Sequence, residues 1–383
     1  MIVDETQGQQ ISENEKSSFA TQITNVNFGI GADGVIFLQP CMPDIMGEIN
    51  ENRSYWDKLP IFPHANIMFR LFEPNGTESF SCGNGLMCVA SYLYGRFNIA
   101  SMEILTQIPT AQPKVITIGT NPQQATNWAN MGYPQRVTWE VADLPDTKSL
   151  NKDIDILKDI TVTFRTHDLH PFSEKTELNL TGYLVYTGEP HFVIFPETGF
   201  SIDNLKKLMF VSSFHAARFN GQSERRIVFG SWLIHHIGTY LNKRYRRIFP
   251  QGINVDFANI PTDGKVVEYR CFERGINRET LACGTGALAV SFVARQLNLI
   301  REKQITVWPH RCRWYVSEAS IRVEEDKRGW FIYGKPMMLL EGKFFLDKSL
   351  SERISTVKYD RAHHKYQIQI QEENNYHPAC IYH

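Results

Sequence analysis

Two cysteines, about 200 residues apart, sit in the same short pattern. Glu78-Ser79-Phe80-Ser81-Cys82-Gly83-Asn84-Gly85 runs into the apolar Leu86-Met87-Cys88-Val89-Ala90. Glu279-Thr280-Leu281-Ala282-Cys283-Gly284-Thr285-Gly286 runs into Ala287-Leu288-Ala289-Val290. In each, an acid stands four residues and a hydroxyl three residues before the cysteine. A cysteine at a helix start, followed by glycines, lies where unpaired amides and the helix dipole favour a thiolate. Those amides can also cradle a carboxylate. Two such turns facing one another would grip an α-carboxylate from both sides and stabilise the charge that grows on it as the α-proton leaves. One thiolate and one thiol would then serve as base and acid on opposite faces of a carbon, because two adjacent sulfurs do not both ionise easily. A lone cysteine in this setting more often simply packs. Two copies with Glu, Ser/Thr, Cys, Gly and Gly in register make packing alone a poor account.

The elements that must hold these turns apart and facing imply two halves. The 383 residues suit two domains better than one core. Hydrophobic residues make up 42% and charged residues 21%, as in ordinary globular proteins. A formal net charge of -1 argues against nucleic acid or anionic membranes as partners. No apolar run is long enough to span a bilayer, and the polar, acidic start is unlike a secretory signal. Seven irregularly spaced cysteines suggest neither a disulfide framework nor a zinc site. Cys41, Cys88, Cys271, Cys312 and Cys380 lack the glycine context and read as structural. Neither turn carries a Walker lysine or full GxGxxG spacing, which argues against a phosphate loop.

Strands are expected at 67–72, 192–195, 253–260, 266–272, 305–307, 321–323 and 330–333, and a helix after each cysteine, to about Phe97 and about Leu299. Residues 41–64 read as a loop or insertion, 143–181 as a linker with an inserted segment, and 200–250 as a further insertion. The division is 1–142, 182–345 and a polar tail over 346–383. His363, His364, His377 and His383 in that tail read as solvated rather than metal-binding.

The residues quoted resemble diaminopimelate epimerases, amino-acid epimerases that work without pyridoxal phosphate. Cys82-Gly83-Asn84-Gly85 and the stretch from Glu273-Arg274-Gly275 to Cys283-Gly284-Thr285-Gly286 match that family's two signatures. Gly29-Ile30-Gly31-Ala32-Asp33-Gly34, Arg70-Leu71-Phe72, Met131-Gly132-Tyr133-Pro134, Gly188-Glu189-Pro190-His191, Gly252-Ile253-Asn254-Val255-Asp256-Phe257 and Leu340-Glu341-Gly342 agree in collinear order. The resemblance implies an α/β (α+β) fold of two pseudo-symmetric domains, each a curved sheet around a central helix, with the site in the cleft between them. It implies no cofactor, no metal, a cytoplasmic homodimer and a small amino-acid substrate. Cys82 and Cys283 would be the acid/base pair. Gly83, Asn84, Gly284 and Thr285 would hold the reacting carboxylate, and Asn254, Glu273 and Arg274 the distal end of the substrate.

Three departures stand out. The family opens with a strand and a Gly-Leu-Gly-Asn-Asp-Phe motif whose asparagine touches substrate. Here Met1-Ile2-Val3-Asp4 matches only the end of that segment, so either the start is assigned too late or the site is incomplete, with an unpaired sheet edge. Glu73 and Glu189 stand where the family has asparagines that meet the distal end of diaminopimelate. The expectation is epimerisation of L,L-diaminopimelate to the meso form, with racemisation of lysine, arginine or histidine as the alternative that the two glutamates suggest. A proline-racemase relative is disfavoured by Glu273-Arg274-Gly275, and a phenazine-biosynthesis relative by the presence of both cysteines. An inactive amino-acid- or protein-binding homologue is the alternative of another class.

Overall fold

The computed structural model describes residues 1–62, 64–138, 151–211, 222–261 and 264–342, with short strands at 148–149, 358–360 and 365–367. The four tail histidines and Cys380 lie outside the described residues.

The first half runs β1 (Ile2–Asp4), α1 (Lys16–Ile23), β2 (Val35–Pro40), α2 (Pro43–Arg53), β3 (Ile67–Phe72), β4 (Glu78–Ser79), α3 (Gly83–Phe97), β5 (Ser101–Thr106), β6 (Lys114–Asn121) and β7 (Thr126–Gly132). The second half runs β8 (Lys148–Ser149), β9 (Asp155–Thr163), β10 (Glu177–Tyr186), β11 (Pro190–Ile194), α4 (Pro196–Gly199), α5 (Asp203–Lys206) and α6 (Gln222–Arg244). It continues with β12 (Asn254–Asn259), β13 (Val266–Glu273), β14 (Arg278–Glu279), α7 (Gly284–Gln296), β15 (Gln304–Pro309), β16 (Ile321–Asp326) and β17 (Gly329–Gly334).

The pairing repeats. β1 lies parallel to β2, β2 antiparallel to β3, β3 parallel to β5, and β5, β6 and β7 follow antiparallel. β11, β12, β13, β15, β16 and β17 repeat that sequence of directions. The register repeats too: Val35 faces Phe72 as Val255 faces Phe272, and Ile36 faces Leu71 as Asp256 faces Cys271. β7 and β17, the equivalent last strands, pair antiparallel and join the halves into one sheet of 17 strands.

Each half wraps its sheet around one helix. From Gly284 to Ala294 every residue of α7 is buried, as expected of a helix that is apolar all round. Its one hydroxyl outside the first turn, Ser291, is satisfied by the Ala287 carbonyl at 2.8 Å. α3 buries Leu86, Met87, Val89, Ala90 and Leu93, and one apolar core spans both helices. None of the helices among the described residues is long and apolar enough to cross a membrane.

The three spans read as loop, linker or insertion contain regular structure. Residues 41–64 contain α2, which starts with Pro43 and Asp44, residues suited to a first helical turn. The 143–181 span is no plain link. Most of β9 and the first part of β10 lie in it, and these strands pair with each other while β10 pairs with β11, extending the second half's sheet. Within 200–250, α6 packs Leu233, Ile234, Ile237 and Leu241 into a second core. β1 pairs with β2 alone among the described residues.

Candidate active site

Each cysteine turn hangs from a strand by a buried ion pair. Arg70 on β3 donates through Nε and Nη2 to the two oxygens of Glu78, at 2.8 and 2.6 Å. Arg270 on β13 does the same to Glu279, at 2.6 and 2.8 Å. This bidentate geometry fixes where the chain leaves the strand. It gives the duplicated acid, four residues before each cysteine, a structural role. The duplicated hydroxyl has one too: Ser79 donates to Glu73 Oε1 and Thr280 to Glu273 Oε1. Glu73 and Glu273 are therefore mates across the pseudo-twofold axis.

Cys82 and Cys283 are the N-caps of α3 and α7, both with extended backbone. Cys82 Sγ accepts from the Gly85 amide at 3.3 Å and Cys283 Sγ from the Gly286 amide at 3.4 Å. The two helices meet head to head. A Cβ on Gly83 would lie 3.0 Å from Gly284 Cα, and one on Gly284 would lie 3.0 Å from the Asn84 nitrogen, so both positions require glycine. Among the described residues no acceptor meets the amides of Gly83, Asn84, Gly284 or Thr285. Four unpaired amides at two converging helix N-termini form an anion cradle.

The cradle opens on a cavity of about 240 Å³, lined by both cysteines and, farther out, by Glu73, Glu189, Asn254, Glu273 and Arg274. All eleven residues expected at the site, Cys82, Gly83, Asn84, Glu73, Glu189, Asn254, Glu273, Arg274, Cys283, Gly284 and Thr285, line this cavity. Not all present a free group to it. Asn84 Nδ2 donates to the Ala282 carbonyl at 2.7 Å and so ties the halves together. Asn254 Oδ1 accepts from the Arg274 amide at 2.9 Å. Glu189 Oε1 accepts from the Ser81 amide at 2.9 Å, and its Oε2 takes both Nε and Nη2 of Arg274.

A polar relay serves one cysteine. Asp256 Oδ2 meets His191 Nδ1 at 2.6 Å, His191 Nε2 meets Thr285 Oγ1 at 3.0 Å, and Thr285 Oγ1 meets Cys283 Sγ at 3.3 Å. Tyr269 brackets the same turn, accepting from the Cys283 amide and donating to the Cys283 carbonyl, both at 2.7 Å. Burial pushes the Cys82 thiol well above its ordinary range. Cys283 is also raised, but there a hydrogen bond from Cys271 works downward against burial and the neighbouring carboxylates. Burial raises Glu73 to about 7, with Glu189 adding to the rise, and raises Glu273 to about 8, with Glu73 adding to it.

Cys271, read as structural from sequence, thus touches the site, and Cys88 lines the cavity. The signal for Cys271 was strand alternation: two residues before Glu273 on one strand, it shares that side chain's face. His191 and Asp256 have the same signal, standing on adjacent strands with Asn254 two residues before Asp256.

No family model matches the chain. The diaminopimelate epimerase of Methanothrix thermoacetophila is 29% identical over 310 residues, 79% of each protein. That of Methanococcus aeolicus is 25% identical over 350 residues, 90% of this chain and 94% of its own. A hydroxyproline epimerase from Agrobacterium vitis, solved with bound trans-4-hydroxy-L-proline, superposes with a TM-score of 0.47 at 13% identity, over 85% of this chain and 82% of its own. This chain is an isomerase related to the diaminopimelate epimerases.

Proposed function

We propose that the protein inverts the α-carbon of an amino acid without a cofactor, using Cys82 and Cys283 as base and acid. The observation that carries this reading is the pair of cysteine N-caps on head-to-head helices, with four unpaired amides between them. An α-carboxylate seated on the amides of Gly83, Asn84, Gly284 and Thr285 would place the α-carbon between the two sulfurs. The thiolate takes the α-proton, and the electron pair spreads into the carboxylate, where the helix-terminal amides hold the growing charge. The opposite thiol then delivers its proton to the other face. Thiol and thiolate exchange roles, so one proton stays on the pair.

The relatives' names make conversion of L,L-diaminopimelate to the meso form the first reaction to try. Asn254, Glu273 and Arg274 would line the distal end of that substrate. A second reading, racemisation of a basic amino acid, is favoured by the carboxylates around Arg274. A homodimer in the cytoplasm, with a small amino acid as its partner rather than nucleic acid or membrane, belongs to the same proposal. The test is α-proton exchange in deuterated water followed by proton NMR. Wild-type protein should exchange the α-proton of a substrate amino acid, and Cys82→Ala and Cys283→Ala should not. Exchange that survives both substitutions would remove the two-cysteine mechanism.

A further inference from the structure

We propose that the distal end of the cleft is built for an α-amino acid with a cationic side chain, held between Glu73 and Glu273. This rests on reading the cleft as an amino-acid epimerase site and names the substrate class it selects.

The first observation is what Arg274 already holds. It is the one cationic side chain lining the cavity among the described residues. Glu189 Oε2 takes its Nε and Nη2, the Gln251 carbonyl takes Nη1 at 2.8 Å, and the Phe80 ring covers the guanidinium at 4.6 Å. A substrate carboxylate arriving there would have to displace Glu189, a buried carboxylate that Ser81 also anchors. Displacing one partner of such a pair leaves an uncompensated charge behind.

The second observation is the unpartnered acid. Glu73 Oε2 is buried and receives no hydrogen bond, while Oε1 takes Ser79. Thr280 is the one hydrogen-bond donor to the Glu273 carboxylate among the described residues. Gly275, with φ +78, closes on Glu73 from the second half: a Cβ there would lie 2.9 Å from Glu73 Cγ, so the glutamate is held in place by the opposite half. The cavity therefore carries Asp33, Glu73, Glu189 and Glu273; Arg278 takes Asp33 at 2.6 Å, and the one guanidinium lining the cavity is already paired with Glu189. Burial keeps Glu73 and Glu273 partly protonated near neutrality, as expected of two buried carboxyls that form no ion pair among the described residues. An ammonium or guanidinium on the substrate would supply that cation and satisfy the orphaned oxygen. Diaminopimelate would also bring an ammonium, but its second carboxylate would add a fifth acid to the same pocket.

The experiment compares α-proton exchange of L-lysine, L-arginine, L-histidine, L,L-diaminopimelate and L-norleucine by the full-length protein. Norleucine keeps the length of lysine and lacks its ammonium. The expected result is a kcat/KM for at least one basic amino acid at least tenfold above those for norleucine and diaminopimelate. Glu73→Gln, which keeps the shape and the Ser79 contact, should reduce that preference over norleucine at least tenfold, mainly through KM. Glu273→Gln gives an independent second reading of the same ratio. Diaminopimelate exchanging faster than every basic amino acid would overturn the inference and leave the epimerase reading standing. So would a basic preference that survives both glutamate substitutions. No exchange with any of the five would overturn the epimerase reading and the inference together.

Discussion

The Cys82 turn packs Gly85 against Ile36 and Phe69 and shares the cavity wall with Leu71, whereas Cys283 lies beside Tyr269, Cys271 and Asp256, although the two trios occupy equivalent places on equivalent strands. The third residue of each turn differs in use as well. Asn84 reaches across to the other half, and Thr285 turns back onto its own cysteine. What the turns share is backbone: the strand, the bidentate Arg–Glu pair, the N-cap and the glycine contact. What they do not share is lining. Repeated backbone brings both sulfurs to one cavity. The lining decides which sulfur more readily bears charge, because donors such as Cys271 and Thr285 stabilise a thiolate and an apolar wall does not. The proton shared by the pair is therefore expected to rest on Cys82, with Cys283 as the thiolate.

The largest expected effect tests what the turns share. Cys82→Ala and Cys283→Ala should each reduce α-proton exchange by about a hundred- to ten-thousand-fold, the range for a lost acid or base. A variant that loses much less than its mate would show that one turn, not two, carries the chemistry.

Next in size is the anchoring of the turns. Arg70 has a second carboxylate, Glu13, and the Gln39 amide as partners, while among the described residues Arg270 has the Met209 carbonyl and the Ser231 hydroxyl as hydrogen-bond partners besides Glu279. Glu279→Gln should therefore cost about 3–5 kcal/mol, the penalty for a buried guanidinium without its carboxylate. Glu78→Gln should cost clearly less, because Glu13 still neutralises Arg70. Urea unfolding of the two variants measures the difference, and equal losses would mean that Glu13 does not compensate.

The lining itself is tested by exchanging equivalent residues. Cys271→Ala removes a donor to the Cys283 thiolate. In a Cys82→Ala background it should move the thiolate absorbance titration of Cys283 upward by about one to two pH units, the worth of a hydrogen bond to a charged group. Leu71→Cys, in a Cys283→Ala background, should move the titration of Cys82 downward. No shift in either would mean that burial alone sets both sulfurs.

How far this was legible in the sequence follows from the same contrast. The repeated features showed as a repeated pattern, because the symmetric backbone demands the same residue types twice: an acid for the arginine, a hydroxyl for the glutamate, glycines where the helices touch. The lining was not legible as a pattern, because it is where the halves diverge. Cys271 and Asp256 could only be found by placing them on strands and following alternation. His191 was quoted within Gly188-Glu189-Pro190-His191, yet its role depends on Thr285, 94 residues away. Residues 155–163 and 177–181 read as part of a link because their polar positions face outward, and partner strands, not local composition, make them a sheet. The Gly188-Glu189 departure was visible in the chain, but that Glu189 claims Arg274 is a fact of three dimensions.

The smallest expected effect concerns the second symmetric pair, Glu73 and Glu273, and reads out as stability rather than rate. Both ionise near 7 to 8 in the folded protein, to about 7 and about 8, against an ordinary carboxylate value of 4.5. The folded state thus binds more protons than the unfolded chain between those limits, and stability falls as pH rises through that window. The contribution is complete below about pH 4.5 and is lost as pH rises past about 8. Glu73→Gln removes one member and also the repulsion that raises Glu273, so its melting temperature should fall less steeply from about pH 5 to about pH 8 than that of the wild type. Scanning calorimetry across that range measures both slopes. A flat wild-type curve would mean the two glutamates stay charged beside one another, and their burial between the halves would then need a cation that the fold itself does not supply.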